Sequence, residues 1–472
     1  MYRKIIKNGF VILAASVSLS LASCKRYSGD FGDTNQNPAV TSTPIYGALL
    51  TFAESALGGY ASQVRYGLYA QYFSETQYTD ISLYSLPQLA HEGEYLGILN
   101  DLQNIINNGP NDNIKAVSRI LKTYYYSTIT DRWGDVPYSQ ALSGVSKPAF
   151  DKQSEIYTGM LSELTAAVNQ FGGTGVIAGD IVYGGNVAKW KKLANSLRMR
   201  LAIQISKRFP AAGAYAAVQF NAALNDPAGF ISDNADNFIL AYPGGNFKSP
   251  WFNLYDGRRD IGESEPMVNL LSSLGDGRQS VFGSSAQGVP YGRLRAYVDT
   301  WTGANPNWSR VLEPSYRNEN GKVVVLSAAE TFLHRAEAAD RGWTSENMNT
   351  VYQQGIQASF SQWGLTAPAP GYFSQSGVVL NQPAGTAANL KNIAIQQYIG
   401  AYPDGLRGWN IWRRTGWPLL TPAPDATNTS RQIPRRCTYG QTSYSSNAAA
   451  VNAAVASLSG GDTQDAKIWW DQ

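Results

Sequence analysis

The chain has 472 residues, with 38 Lys and Arg against 35 Asp and Glu and only 15% charged residues, so it lacks the basic footprint that nucleic-acid binding needs. A hydrophobic content of 43% is enough for a packed core, and two cysteines exclude a disulfide-held scaffold. Trp 12 and Tyr 28 together outnumber Phe 16, which weights the rings toward those with a polar tip, suited to surfaces part wet and part apolar.

The chain opens with Arg3, Lys4 and Lys7, followed by a mostly apolar run from Phe10 to Ala22. A cationic start and an apolar run shorter than the roughly 20 residues of a membrane span make a secretory signal. The run ends at Leu21-Ala22-Ser23-Cys24, which resembles the lipobox of bacterial lipoproteins. Residues 1–23 are therefore expected to be a lipoprotein signal peptide and Cys24 the lipidation site, anchored by two or three acyl chains. Three of the 38 cations lie in that leader, so the remainder carries 35 charges of each sign and is neutral. Cys437 is then left without an intrachain partner. Residues 24–44 read as a polar tether and 45–472 as one domain.

Amphipathic stripes follow. Gln88 to Asn107 reads as a helix closed by Asn108-Gly109-Pro110. Helices are expected over 113–131 (Ile114, Val117, Leu121, Tyr124, Thr128), over 154–171 (Ile156, Met160, Leu164, Val168) and over 187–209 (Trp190, Leu193, Leu197, Leu201, Ile205). Between about 243 and 325 the stripes fade into Gly, Pro, Asn and aromatic residues, predicting long loops with short elements, a pattern usually tied to function. Ser327-Ala-Ala-Glu330 predicts a capping box, Gly342 the end of that helix, and 346–362 its hairpin partner with close packing at Tyr352, Gly355 and Ser359. The apolar tail Lys467-Ile468-Trp469-Trp470-Asp471 is expected to dock on the body.

No catalytic constellation rises above background. His91 and His334 each have carboxylates nearby, but a catalytic zinc takes three protein ligands, and both histidines read as surface hydrogen-bonding residues. Gly262-Glu-Ser264-Glu-Pro266 resembles a nucleophile elbow only loosely, lacking the second Gly and any strand before it. Gly173-Thr-Gly175-Val-Ile-Ala-Gly179 has one residue too many for a dinucleotide loop and reads as a turn. Binding has more support. Trp251, Asn253 and Tyr255 in the irregular stretch, with Arg258 beside them and Tyr297, Trp301 and Trp308 beyond, supply rings for stacking and amides for hydrogen bonds to a sugar or a peptide. The bland alternative is that these rings form a satellite core under the loops.

Several segments together resemble one family. They are Asp131-Arg-Trp133-Gly134-Asp135-Val-Pro137-Tyr138, Trp190 to Arg200, Ala336-Glu337-Ala338 with Gly342, and Trp469-Trp470-Asp471. With the lipobox and the tether Asp33-Thr-Asn35-Gln-Asn37-Pro38, they are similar to SusD/RagB nutrient-binding lipoproteins of the outer membrane. The resemblance implies a mostly α, SusD-like fold with four tetratricopeptide-like helix pairs and an irregular ligand face. It implies a SusC-type TonB-dependent transporter as partner and an oligosaccharide or a peptide as ligand. It implies no enzyme activity and no cofactor, although a calcium known from relatives would be unmarked here. Lys25 and Arg26, where surface-exported members carry acids, leave the membrane leaflet open. A surface glycoside hydrolase and a purely structural lipoprotein are the competing readings.

Overall fold

The computed structural model describes residues 44–472, so Cys24 and the tether up to residue 43 lie outside the described residues. Long helices form where the apolar stripe is regular: α1 (Tyr46–Ser55), α2 (Asn100–Asn108), α3 (Asp112–Trp133), α4 (Gln153–Gln170), α5 (Val187–Gln204) and α6 (Tyr215–Leu224). The irregular stretch holds α7 (Glu265–Ser273) and α8 (Arg295–Ala304), and regular helices resume with α9 (Ala328–Asp340), α10 (Met348–Gln362), α11 (Ala387–Ala401), α12 (Gly405–Thr415) and α13 (Gln441–Ala456). Strands are short: β1 (Phe73–Glu75), β2 (Gln88–Leu89), β3 (Phe238–Ala241), β4 (Ile261–Glu263), β5 (Lys322–Leu326) and β6 (Thr438–Tyr439). They form three two-stranded pairs, β1–β4 and β3–β5 antiparallel and β2–β6 parallel.

Four helix pairs make the scaffold: α3 with α4, α5 with α6, α9 with α10, and α11 with α12. They stack through α4 on α5, α5 on α9 and α9 on α11. Local chemistry sets the ends. The Asn111 side chain accepts from Ile114 N–H at 3.1 Å to start α3, and Gly134 ends it at φ +91, a conformation that favours glycine. After α9, Gly342 N–H bonds to Ala339 C=O and Trp343 N–H to Ala338 C=O, the paired bonds of a Schellman motif. Close packing of α10 on α9 is visible at Gly355, where an added Cβ would lie 2.8 Å from Leu333 Cγ.

Several expectations need correction. Gln88 to Asn107 is not one helix: β2 pairs with β6, a 3₁₀ turn and a π turn follow, and only α2 is α-helical. Gly93 and Gly97 weaken helix formation there, and the backbone is used elsewhere, with Leu89 C=O accepting from Trp133 Nε1 at 3.0 Å. The helix expected over 187–209 stops at Gln204. The capping box is half made. Ser327 Oγ accepts from Glu330 N–H, but the Glu330 carboxylate turns to Arg200 and Arg407. Both histidines are buried, not on the surface. A strand does precede Ser264, yet its side chain caps α7 and donates to Gln71 C=O, fully buried, so it is no exposed nucleophile.

The core of the scaffold contains a charged seam along α12. Arg407 reaches Glu330 at 3.0 Å, and Arg414 Nη2 reaches Glu337 at 2.8 Å. Asn410 donates to Asp131 Oδ2 at 2.6 Å, and Arg413 donates to Asp131 C=O at 2.7 Å. Burial opposes ionisation of Glu337, but the Arg414 and Arg341 guanidiniums hold it far below the carboxylate range. The tail docks as expected: Trp470 Nε1 donates to Asp131 Oδ1 at 2.9 Å, and Asp471 pairs with Arg435 at 2.6 Å. Cys437 is buried with its Sγ 3.6 Å from the Tyr66 hydroxyl.

Candidate functional site

The β1–β4 pair organises the irregular region. Its register sets Phe73 opposite Glu263 and Glu75 opposite Ile261, so the loop after β1 and the loop before β4 emerge side by side. The first loop carries Tyr78 and the second Arg258 and Arg259. Glu75 fixes the first: its carboxylate accepts from Ser82 N–H at 2.8 Å and Ser82 Oγ at 2.7 Å, and burial raises it to about 7. Tyr255 fixes the second, donating to Ile261 C=O and accepting from Val311 N–H, both at 2.8 Å.

Between the loops lies a cavity of about 850 Å³ lined by Gln77, Tyr78 and the stretch Tyr255, Gly257, Arg258, Arg259 and Asp260. A second, of about 490 Å³, shares Tyr255, Arg258 and Arg259 with it and extends to Ser284, Asn307, Arg310 and Arg317. Helix α8 lies beside them. Arg295 on α8 sits 6.0 Å from the Tyr78 ring centre, and Tyr297 and Trp301, four residues apart, share one helix face. Tyr78 is 59% exposed and Tyr297 46%, so each offers a ring to solvent.

The six candidate residues therefore divide. Trp251 is 3% exposed and meets Phe73 edge-on inside the main core. Trp308, 5% exposed, forms a small separate core with Val289 and Val298, covered on one side by the Arg310 guanidinium 4.2 Å from its ring. Tyr255 and Trp301 pack partly against that core, and Asn253 is exposed at the end of the short helix Pro250–Asn253 that carries Trp251. The structure brings Tyr255, Trp301 and Trp308 together around one satellite cluster and leaves Trp251 outside it. Tyr78 was missed because it stands far from the aromatic stretch in sequence. The β1–β4 pairing brings it in, and no local pattern announces that pairing.

Other chemistry is accounted for internally. Glu263 is buried, and burial lifts it to about 8 despite hydrogen bonds from Ser309 at 2.6 Å and Gln279 at 3.0 Å. Glu265, its neighbour in sequence, is exposed, so the two do not face one another across a cleft. His334 is held neutral, burial pushing it down to about 3. No group of three or more His, Cys, Asp or Glu able to hold a metal occurs among the described residues.

Residues 36–440 match the family model described as SusD-like, starch-binding associating with outer membrane. The chain belongs to the SusD-like family. Solved SusD-like structures share its fold. One is a chitin-binding SusD homologue from Flavobacterium johnsoniae, 24% identical with a TM-score of 0.81 over 91% of this chain and 99% of that one. Another is a SusD homologue from Bacteroides uniformis, 25% identical with a TM-score of 0.78 over 90% and 99%. A third, a chitin-binding protein, is 26% identical with a TM-score of 0.75 over 90% and 100%. No curated protein gives a significant match. The mostly α architecture of helix pairs plus an irregular face is thus the SusD-like fold.

Proposed function

We propose that this SusD-like protein is a lipid-anchored outer-membrane protein that captures an oligosaccharide and passes it to a SusC-type TonB-dependent transporter. The observation that carries the reading is the open basin at the β1–β4 edge, in a chain whose family is described by starch binding. Tyr78 and Tyr255 line it, Tyr297 and Trp301 stand on the neighbouring helix α8, and Ser284 and Asn307 supply polar groups for hydroxyls. Ring stacking is worth about 0.5–1.5 kcal/mol per contact beyond burial, so two or three rings with a few hydrogen bonds give micromolar to millimolar affinity. That range suits a subunit that must release its ligand. Cys24 is the lipidation site, and no cofactor takes part.

Isothermal titration against an oligosaccharide panel tests capture. Tyr78→Ala and Trp301→Ala should each weaken binding by about tenfold. Unchanged affinity in both variants places the site elsewhere. Steady release of reducing ends from a polysaccharide would instead favour the hydrolase reading. Co-purification with a large barrel protein tests the partner.

A further inference from the structure

We propose that the basin selects anionic oligosaccharides, those bearing carboxylate or sulfate groups, over neutral ones. This rests on the glycan-capture reading above. The twelve residues that line the two adjoining cavities include Arg258, Arg259, Arg310 and Arg317, and a single acid, Asp260. Asp260 is occupied: it accepts from Arg258 Nε at 2.6 Å. Among the described residues, Arg259, Arg310 and Arg317 have no carboxylate partner. Arg293 and Arg295 nearby differ in this respect, since they pair with Asp425 and Asp299. The basin therefore keeps three positive charges uncompensated in a chain that is otherwise close to neutral.

Two of those charges, on Arg310 and Arg317, are held in place. The Arg310 guanidinium lies 4.2 Å from the Trp308 ring centre and uses one nitrogen on Trp308 C=O at 3.3 Å. The Arg317 guanidinium lies 4.7 Å from the Tyr255 ring centre and uses only Nε, on Leu312 C=O at 3.0 Å. The ring beside each guanidinium restrains it, and its remaining N–H donors make no hydrogen bond within the described residues. A planar fork so fixed fits a carboxylate or sulfate oxygen pair and loses little entropy in binding it. Burial together with the Arg259 and Arg317 charges pushes the Arg310 guanidinium down from its ordinary value, so an arriving anion relieves repulsion already present. A neutral sugar would leave that repulsion in place.

The test is titration of the full chain in detergent with tetragalacturonate, a chondroitin sulfate tetrasaccharide, chitotetraose and maltotetraose. One or both anionic ligands should bind at least about tenfold more tightly than the neutral ones at low salt, since charged hydrogen bonds outweigh neutral ones. The carboxylated and sulfated arms identify which anion is preferred. High salt should erase most of the preference. Arg259→Gln, on an exposed loop, and Arg310→Gln should each shrink it several-fold, whereas Lys147→Gln, an exposed cation lining neither cavity, should preserve it. Neutral ligands binding as tightly as anionic ones overturn the proposal and leave glycan capture standing. Binding of hexaglutamate with no glycan bound overturns both.

Discussion

At the level of single residues, the pattern of burial separates rings that hold the fold from rings that face solvent. Trp251→Ala should lower stability by about 3–5 kcal/mol, read as a fall in denaturation midpoint, while the folded fraction keeps its ligand affinity. Tyr78→Ala should do the opposite, because its ring is mostly exposed. Composition alone cannot make this distinction: both residues are aromatic, and only their surroundings differ. Buried ionisable groups carry a pH signature with a definite sign. Burial raises Glu263 to about 8 from its usual 4.5, so its contribution is fully present below about 4.5 and is lost as pH rises through 8. Glu263→Gln should therefore stabilise the protein at pH 8 and above, by on the order of 3 kcal/mol, and have little effect near pH 4. His334 has the reverse sense. Its depressed value of about 3 against an ordinary 6.5 means stability present above 6.5 and lost as pH falls toward 3.

At the level of elements, helix stripes are legible because burial of one face imposes a period of 3.6 on the sequence. The helices expected over 113–131 and 154–171 match α3 and α4 within two residues at each end. The start of α9 shows where local reading misleads. A capping box predicts that Glu330→Gln is harmless, since Gln serves that motif equally well. In the structure the Glu330 carboxylate instead joins Arg200 at 2.7 Å and Arg407 at 3.0 Å, held by those cations at about 2 although burial opposes it. Glu330→Gln should thus cost about 3 kcal/mol or more by leaving buried guanidiniums uncompensated, against about 1 kcal/mol for Ser327→Ala, which removes only the cap. Paired chemical denaturation curves decide between the two pictures. The false helix at 88–99 fails for a related reason: β2 is stabilised by β6, from near the other end of the chain, and a short window holds no trace of that partner.

At the level of the whole molecule, α12 joins the last helix pair to the first and, through Asp131, to the tail. Trp470→Ala should destabilise the entire unit by about 3–5 kcal/mol, because it removes a fully buried ring and one of the donors to buried Asp131. A single cooperative transition at lower midpoint is the expected readout. Cys24→Ala should release the protein from the membrane fraction if the lipid is its anchor, measured by sedimentation of outer-membrane vesicles.

By itself, the sequence determined the helical scaffold and the family, since these rest on local periodicity and on short motifs kept in order along one chain. It also marked the irregular region as the place to look. Only the tertiary structure decided which rings are open, that Tyr78 joins Arg258 and Arg259 around one basin, and that three arginines there lack acids. Those facts depend on contacts between segments more than 150 residues apart, as in the pairing of β1 with β4. Side-chain exposure and charge compensation are properties of such contacts, and neither can be read from neighbours along the chain.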